Sequence, residues 1–318
     1  MSSSPSAPLT VPAVVSQLAE HTRAVAAAVE ASVVAIGTDA RGAGFVVAPG
    51  RVLTNAHHLR DRTTSVRFAD GRVVQGRVVG GDADGDLVAL EVDTAGAPVL
   101  PWSDTDVRLG DVVFGASRDP QSLSITVGQV SAIARSFAGP RGRAIRGGVE
   151  HTAPMRRGSS GGPLLDATGA VVGVNTHRLR AGFYLARPTD EQLRGLIGRL
   201  AEGQSVERVR LGVAVAPVDV TRKLRASVGL EPADGLLVRD VDADGLAGPA
   251  GVRVGDVLVR GGDVALLTPD ALLDAIDTAV DAAGEVLALQ VVRGAEHLQI
   301  DVSLSVAPSD GPAAGPDA

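Results

Sequence analysis

The sequence contains no cysteine, and its only aromatic residues are five Phe, one Trp and one Tyr. Without cysteine there is no disulfide framework, no thiolate nucleophile and no Cys-ligated zinc. With so few rings, any core must be built from Val, Leu, Ile and Ala. A run of about 18 apolar residues is also missing, so nothing is expected to span a membrane. The first 15 residues lack both a basic start and an adequate apolar stretch, and no secretory signal is read there. The chain as written therefore reads as cytoplasmic; the alternative is an extracytoplasmic protein whose export segment is not part of this sequence. Positive charge is not in excess: 30 Lys and Arg stand against 37 Asp and Glu, a net charge of −7. That argues against nucleic acid as a partner. The spacing of His58, His151 and His177 matches no zinc pattern, so no metal or cofactor is expected.

What is present favours strands. Thirty-nine Gly, 18 Pro and many Val suit short strands joined by turns. The length allows two or three domains. Residues 1–9 read as a disordered Ser/Pro tail. A helix is expected from Thr10 to about Ala31, with Val14, Leu18, Val25 and Val29 on one face. Six short strands follow within residues 32–95, separated by Gly/Asp turns, and suggest a small closed antiparallel barrel. A second strand series occupies about 107–187. Thr189 is placed to cap a helix running to about Glu202, with Leu193, Leu196, Ile197 and Leu200 facing inward. The first domain is thus 10–203. Residues 206–305 form a separate unit, with strands at 211–215, 235–240, 256–260 and 286–292 and a helix Pro269–Val280. Residues 306–318 read as a disordered tail.

Chemistry concentrates in three places. Residues 156–165, Arg-Arg-Gly-Ser-Ser-Gly-Gly-Pro-Leu-Leu, surround Ser160 with Gly158, Gly161 and Gly162. Such a turn can lift a hydroxyl clear of its backbone and aim successive N–H groups into one space, as a nucleophile requires. His57 lies in Leu-Thr-Asn-Ala-His-His (53–58), just after a strand, and Asp86 opens the strand Asp-Leu-Val-Ala-Leu-Glu-Val. Singly, each has an ordinary reading: a Gly/Ser loop, a hydrogen-bonded surface histidine, a turn aspartate. Together, the order His57, Asp86, Ser160 is that of a chymotrypsin-like triad, His and Asp on the first barrel and Ser on the second. In that reading Asp86 orients His57, His57 takes the Ser160 proton, and the N–H groups of Gly158 and Ser160 form the oxyanion hole.

Five motifs carry a resemblance. Gly-Ala-Gly-Phe (42–45), Thr-Asn-Ala-His (54–57), Asp-Leu-Val-Ala-Leu (86–90), Gly-Ser-Ser-Gly-Gly-Pro-Leu (158–164) and Gly-Val-Asn-Thr (173–176) resemble the trypsin-like serine proteases of the HtrA/Deg family. The resemblance implies a mainly β fold of two six-stranded antiparallel β-barrels, with a triad in the cleft between them. Arg-Leu-Gly-Val (210–213), Gly-Leu-Leu-Val-Arg-Asp-Val (235–241) and Gly-Pro-Ala-Gly-Val-Arg-Val-Gly-Asp-Val-Leu (248–258) resemble a bacterial PDZ domain, which binds peptide C-termini by strand addition. By that resemblance Leu211, Gly212, Val213 and Ala214 would be the binding loop and strand, with Leu272 and Ile276 lining the groove.

The resemblance also implies polypeptide substrates, unfolded or damaged, with the PDZ domain recruiting substrate or regulating activity. A homotrimer is the family assembly, though the N-terminal segment lacks the aromatics that often mediate it. Pro154 stands where a Lys/Arg preference uses an acidic residue. Met155, His177 and Leu179 are expected to line the primary pocket, and cleavage after small or medium apolar residues follows. The alternative function is a weakly active or inactive protease-fold chaperone or peptide-binding protein. A small-molecule esterase would need the strand–turn–helix setting of a hydrolase elbow, which the pattern lacks.

Overall fold

The computed structural model describes residues 12–138, 144–180, 182–206, 209–282 and 284–304. The chain divides into two compact units, Met1–Glu207 and Arg208–Ala318.

The first unit is mainly β. Strands β1 (Val33–Ile36), β2 (Gly42–Ala48), β3 (Arg51–Thr54), β4 (Thr63–Arg67), β5 (Val73–Asp82) and β6 (Leu87–Glu91) close into an antiparallel barrel in the order β1-β2-β3-β6-β5-β4. Strands β7 (Val112–Arg118), β8 (Leu123–Ala138), β9 (Ala144–His151), β10 (Pro163–Leu165), β11 (Val171–Arg180) and β12 (Phe183–Pro188) close a second, ordered β10-β11-β12-β9-β8-β7. Closure leaves neither sheet with a free edge.

Side-chain alternation along the strands builds three cores rather than two. Val34, Ile36, Val46, Val52, Val66 and Leu90 fill the first barrel, and Val113, Val130, Val149, Leu164, Val172 and Ala186 fill the second. The residues between them in sequence point the other way. Val33, Phe45, Leu53, Leu87 and Ala89 meet Phe114, Ala116, Leu165, Val171 and Val174 in a third cluster that joins the barrels. This is why β1 is buried at all four positions and reads as a continuous apolar run.

Two helices finish the joining cluster. Helix α1 (Ala13–Val29) contributes only Val25 and Val29; Val14 and Leu18, expected on the same buried face, are exposed because the helix extends beyond the surface it packs on. Helix α2 (Glu191–Ala201) buries Leu193, Leu196, Ile197 and Leu200 as expected from their spacing. Its cap is Asp190, whose carboxylate accepts the Leu193 N–H, rather than Thr189, whose hydroxyl donates to Val171 O. After α2 the chain returns to the first barrel, where Val206 N–H bonds to Gly81 O.

The second unit contains β13 (Val213–Ala216), α3 (Val218–Ser227), β14 (Leu236–Val241), α4 (Ala247–Ala250), β15 (Val257–Gly261), β16 (Val264–Ala265), α5 (Pro269–Asp281), β17 (Val286–Arg293) and β18 (Glu296–Ser303). Its sheet runs β13-β14-β15-β17-β18, with β16 paired to β15. Leu236, Val238, Leu258, Leu272, Ile276, Leu289 and Val302 are among its core residues. Strand β13 forms one edge of the sheet.

Candidate active site

The first barrel holds His57 and Asp86. Past the end of β3 the chain makes a single 3-10 turn, Ala56–His58, and Asp86 immediately precedes β6. Asp86 has φ +59, a left-handed conformation that Asp tolerates better than most residues. It is fully buried. Its carboxylate accepts the His57 backbone N–H at 3.0 Å, His57 Nδ1 at 2.7 Å and the Thr176 hydroxyl at 3.3 Å. Its carbonyl accepts Asn55 Nδ2 at 2.7 Å and the Ala56 N–H at 3.2 Å. An ionised carboxylate only accepts, so the proton of a neutral His57 lies on Nδ1 and Nε2 keeps its lone pair. The His57 side chain is one-third exposed (33%) and open to a reacting group.

The turn before Asp86 is braced from the other barrel. Arg187 on β12 donates through Nη1 to the Gly85 carbonyl and lies 3.8 Å from Asp82 Oδ2. Asp82 Oδ1 accepts the Gly85 N–H at 2.8 Å.

The second barrel supplies the nucleophile loop. Gly158 (φ +83) is the third residue of a turn closed by Ser159 N–H donating to Arg156 O at 3.2 Å. Positive φ there is the mark of a type II turn, which glycine favours. A side chain at this position would in addition overlap the Ala40 carbonyl. Ser159 is buried and donates to the Ser117 hydroxyl at 2.9 Å, which ties down the back of the loop. Gly161 N–H donates to Asn175 O at 2.7 Å, and Gly162 N–H to Ser159 O at 3.2 Å. Among the described residues the N–H groups of Gly158 and Ser160 have no acceptor. The loop that carries Ser160 thus holds two N–H donors with no acceptor among the described residues.

The structure brings Ser160 to the His57 neighbourhood through its backbone. The Ser160 carbonyl accepts the Ala43 N–H at 2.9 Å and lies 3.1 Å from His58 Nε2, and the His58 ring centroid is 4.1 Å from that of His57. Among the described residues no hydrogen bond joins the Ser160 hydroxyl to His57. Such bonds are often long before substrate binds and tighten with it.

A trypsin-like peptidase domain profile matches residues 42–174, a span that contains all three residues. A putative serine protease, HhoB, of Synechocystis is 30% identical over 85% of this chain and 67% of its own length. A probable periplasmic serine endoprotease, DegP-like, of Halomonas elongata is 32% identical over 86% of this chain and 58% of its own. The chain belongs to the HtrA/Deg family of serine proteases. It spans between about half and two-thirds of the length of these curated relatives. Its fold matches the HtrA-type protease AlgW solved with a decapeptide, at a TM-score of 0.70 and 22% identity over 90% of this chain and 99% of that one. A serine endoprotease from Yersinia pestis matches at a TM-score of 0.63 and 22% identity, over 89% and 96% of the two chains.

In this HtrA/Deg chain two of the three residues expected to line the primary pocket can be placed. Leu179 is exposed and borders a cleft of about 430 Å³ with Arg135, Ser136, Glu150, Phe183 and Leu185. Met155 is half-buried instead and lies toward Gly115 on β7. The side chain of His177 lies outside the described residues. In the second unit Leu211, Leu272 and Ile276 are buried in the core, while Gly212 has φ +73.

Three contributors were not legible as site residues. Thr176 follows Asn175 in a motif quoted only for resemblance, yet it bonds the carboxylate of Asp86. Asp82 reads as a turn residue and is buried beneath that turn. His58 reads as an ordinary surface histidine, but burial, with His57 adding to it, pushes its imidazole down to about pH 4. The doubled histidine was the available signal.

Proposed function

We propose that this protein is a serine endopeptidase that hydrolyses peptide bonds of unfolded or damaged polypeptides through Ser160, His57 and Asp86. The observation that carries the proposal is the 2.7 Å bond between His57 Nδ1 and the buried Asp86 carboxylate, together with a Ser160 loop whose Gly158 and Ser160 N–H groups have no acceptor among the described residues. In the reaction, Ser160 Oγ attacks the scissile carbonyl carbon while His57 Nε2 accepts its proton. The resulting oxyanion is met by the N–H groups of Gly158 and Ser160, each worth roughly 10²–10³ in rate for this class of site. His57 then protonates the leaving amine, and water repeats the sequence on the acyl-enzyme.

The second unit is proposed to be a PDZ-type module that binds peptide C-termini and recruits substrate or regulates cleavage. Support comes from the edge position of β13 and from the N–H groups of Leu211 and Gly212, which have no acceptor among the described residues. An edge strand preceded by open N–H groups suits strand addition and carboxylate capture. The name of the Halomonas relative includes "periplasmic", which favours an extracytoplasmic site of action. No helix among the described residues is long and apolar enough to cross a membrane.

A second reading, a protease-fold binding protein with little turnover, is favoured by the absence, among the described residues, of a hydrogen bond from the Ser160 hydroxyl to His57. Fluorophosphonate labelling separates the two. The endopeptidase reading expects wild-type protein to be labelled and to cleave casein, and Ser160→Ala to do neither. Unlabelled wild type, with and without C-terminal peptides, would sink it.

A further inference from the structure

We propose that His58 is a positioning residue for the nucleophile, holding the Ser160 backbone in place by donating a hydrogen bond from its Nε2–H to the Ser160 carbonyl. The inference rests on the endopeptidase reading and extends it to a side chain that touches neither the scissile bond nor Asp86 in that mechanism.

Three observations carry it. His58 Nε2 lies 3.1 Å from the Ser160 carbonyl oxygen, across 102 residues of chain and from one barrel to the other. A carbonyl can only accept, so the ring must carry its proton on Nε2. The same oxygen accepts the Ala43 N–H at 2.9 Å, which fills both of its lone pairs and fixes the Ser160 peptide plane from two directions. The ring itself has little freedom. It packs against Gly42 so closely that a Cβ there would overlap it, and its centroid is 4.1 Å from that of His57 at an interplanar angle of 52°. His57 and the Ser160 carbonyl are therefore set against one rigid imidazole, a common ruler for base and nucleophile. Burial and the neighbouring His57 hold this ring neutral down to about pH 4. No fixed positive charge then opposes the imidazolium that His57 becomes during attack.

Inactivation kinetics with a fluorophosphonate test this, because kinact reports attack by Ser160 and KI reports reagent binding. His58→Leu keeps the bulk and loses the donor; His58→Gln restores a donor near the Nε2 position. The expected result is a kinact about 3- to 10-fold lower for His58→Leu at unchanged KI, the usual scale for one neutral hydrogen bond. His58→Gln should recover to within about 2-fold of wild type. A His58→Leu rate equal to wild type, or a His58→Gln rate as low as His58→Leu, would overturn the assignment. Imidazole ¹⁵N spectra of the Ser160→Ala protein, whose backbone carbonyl at position 160 is retained, decide the matter even where His58→Leu fails to fold. The Nε2–H tautomer supports the proposal and the Nδ1–H tautomer refutes it. The two readings fail differently: unlabelled wild type removes both, whereas labelled wild type with an equally reactive His58→Leu removes this one alone.

Discussion

Asp86 on the first barrel receives three hydrogen bonds on its carboxylate and two on its carbonyl. The loop around Ser160 on the second barrel differs: the N–H groups of Ser159, Gly161 and Gly162 are bonded, and those of Gly158 and Ser160 have no acceptor among the described residues. The contrast suits the roles proposed for the two sides. An orienting carboxylate works by not moving, so every bond to it lowers the cost of keeping His57 in one tautomer. An oxyanion hole works through donors with nothing better to bind until charge develops, so its bonds must be withheld from the resting protein.

The largest test of this contrast falls on the saturated side. Asp86→Asn preserves shape and tolerance of the left-handed conformation, but its amide presents a donor where His57 Nδ1–H needs an acceptor. Casein cleavage is expected to fall by about 10⁴-fold, with a small change in melting temperature. A loss under about 100-fold would show that the Thr176 and backbone contacts orient His57 without the charge.

On the open side, Gly158→Ala has to fit a Cβ against the Ala40 carbonyl at φ +83, a conformation that disfavours it. The turn should reorganise and one donor should leave the hole, for a loss of roughly 10²–10³ in fluorophosphonate labelling. Melting temperature should hold or fall by a few degrees. Labelling at the wild-type rate would mean that the Gly158 N–H is not part of the hole.

Acid probes both barrels through buried imidazoles. Burial pushes His151 down from 6.5 to about 4, partly offset by its bond to Asn175, and His58 is depressed to a similar value. Each stays neutral in the folded protein until about pH 4, while the unfolded chain protonates near 6.5. Between those values the unfolded state binds more protons, so stability falls as pH drops through the window, by up to roughly 3 kcal/mol for His151. His151 Nδ1 has no hydrogen-bond partner among the described residues, so His151→Gln sacrifices little at neutral pH. Thermal melts of this variant should lose part of the wild-type slope between pH 6.5 and 4. Parallel slopes would show that His151 titrates normally.

The sequence carried the strands because apolar residues alternate along them, and the proposed triad because its three members sit in distinctive motifs. Helix α3 was hidden for the opposite reason. Its buried positions are Thr221 and Arg225, whose polar groups are satisfied inside the unit by Gly235 O, Glu231 O and Gly294 O. No apolar stripe announces such a helix. Strand β18 was legible in Leu298, Ile300 and Val302 but falls outside the four-strand reading of that unit. The motif Thr-Asn-Ala-His already singled out His57 for Asp86, but nothing in the sequence indicated that the ring of His58 would lie against the Ser160 carbonyl.

The smallest expected effect asks whether the open loop is held from its exposed side. Arg156, two residues before Gly158, pairs with Asp119 at 3.0 Å, but the two side chains are 54% and 32% exposed. The Asp119 carboxyl is held below its usual range mainly by the N–H groups of Gln121 and Ser122, with Arg156 contributing less. Water screens such a pair, and exposed pairs are commonly worth about 0–1 kcal/mol. The firm anchors lie behind the loop, at Ser159 on Ser117 and Gly161 on Asn175. Arg156→Ala should therefore change fluorophosphonate labelling by less than about 5-fold, and raising the salt concentration should weaken the wild type no more than that. A loss beyond about 10-fold would place the control of the two open donors in the Arg156–Asp119 pair. The loop would then be tunable by surface charge rather than fixed by its buried bonds.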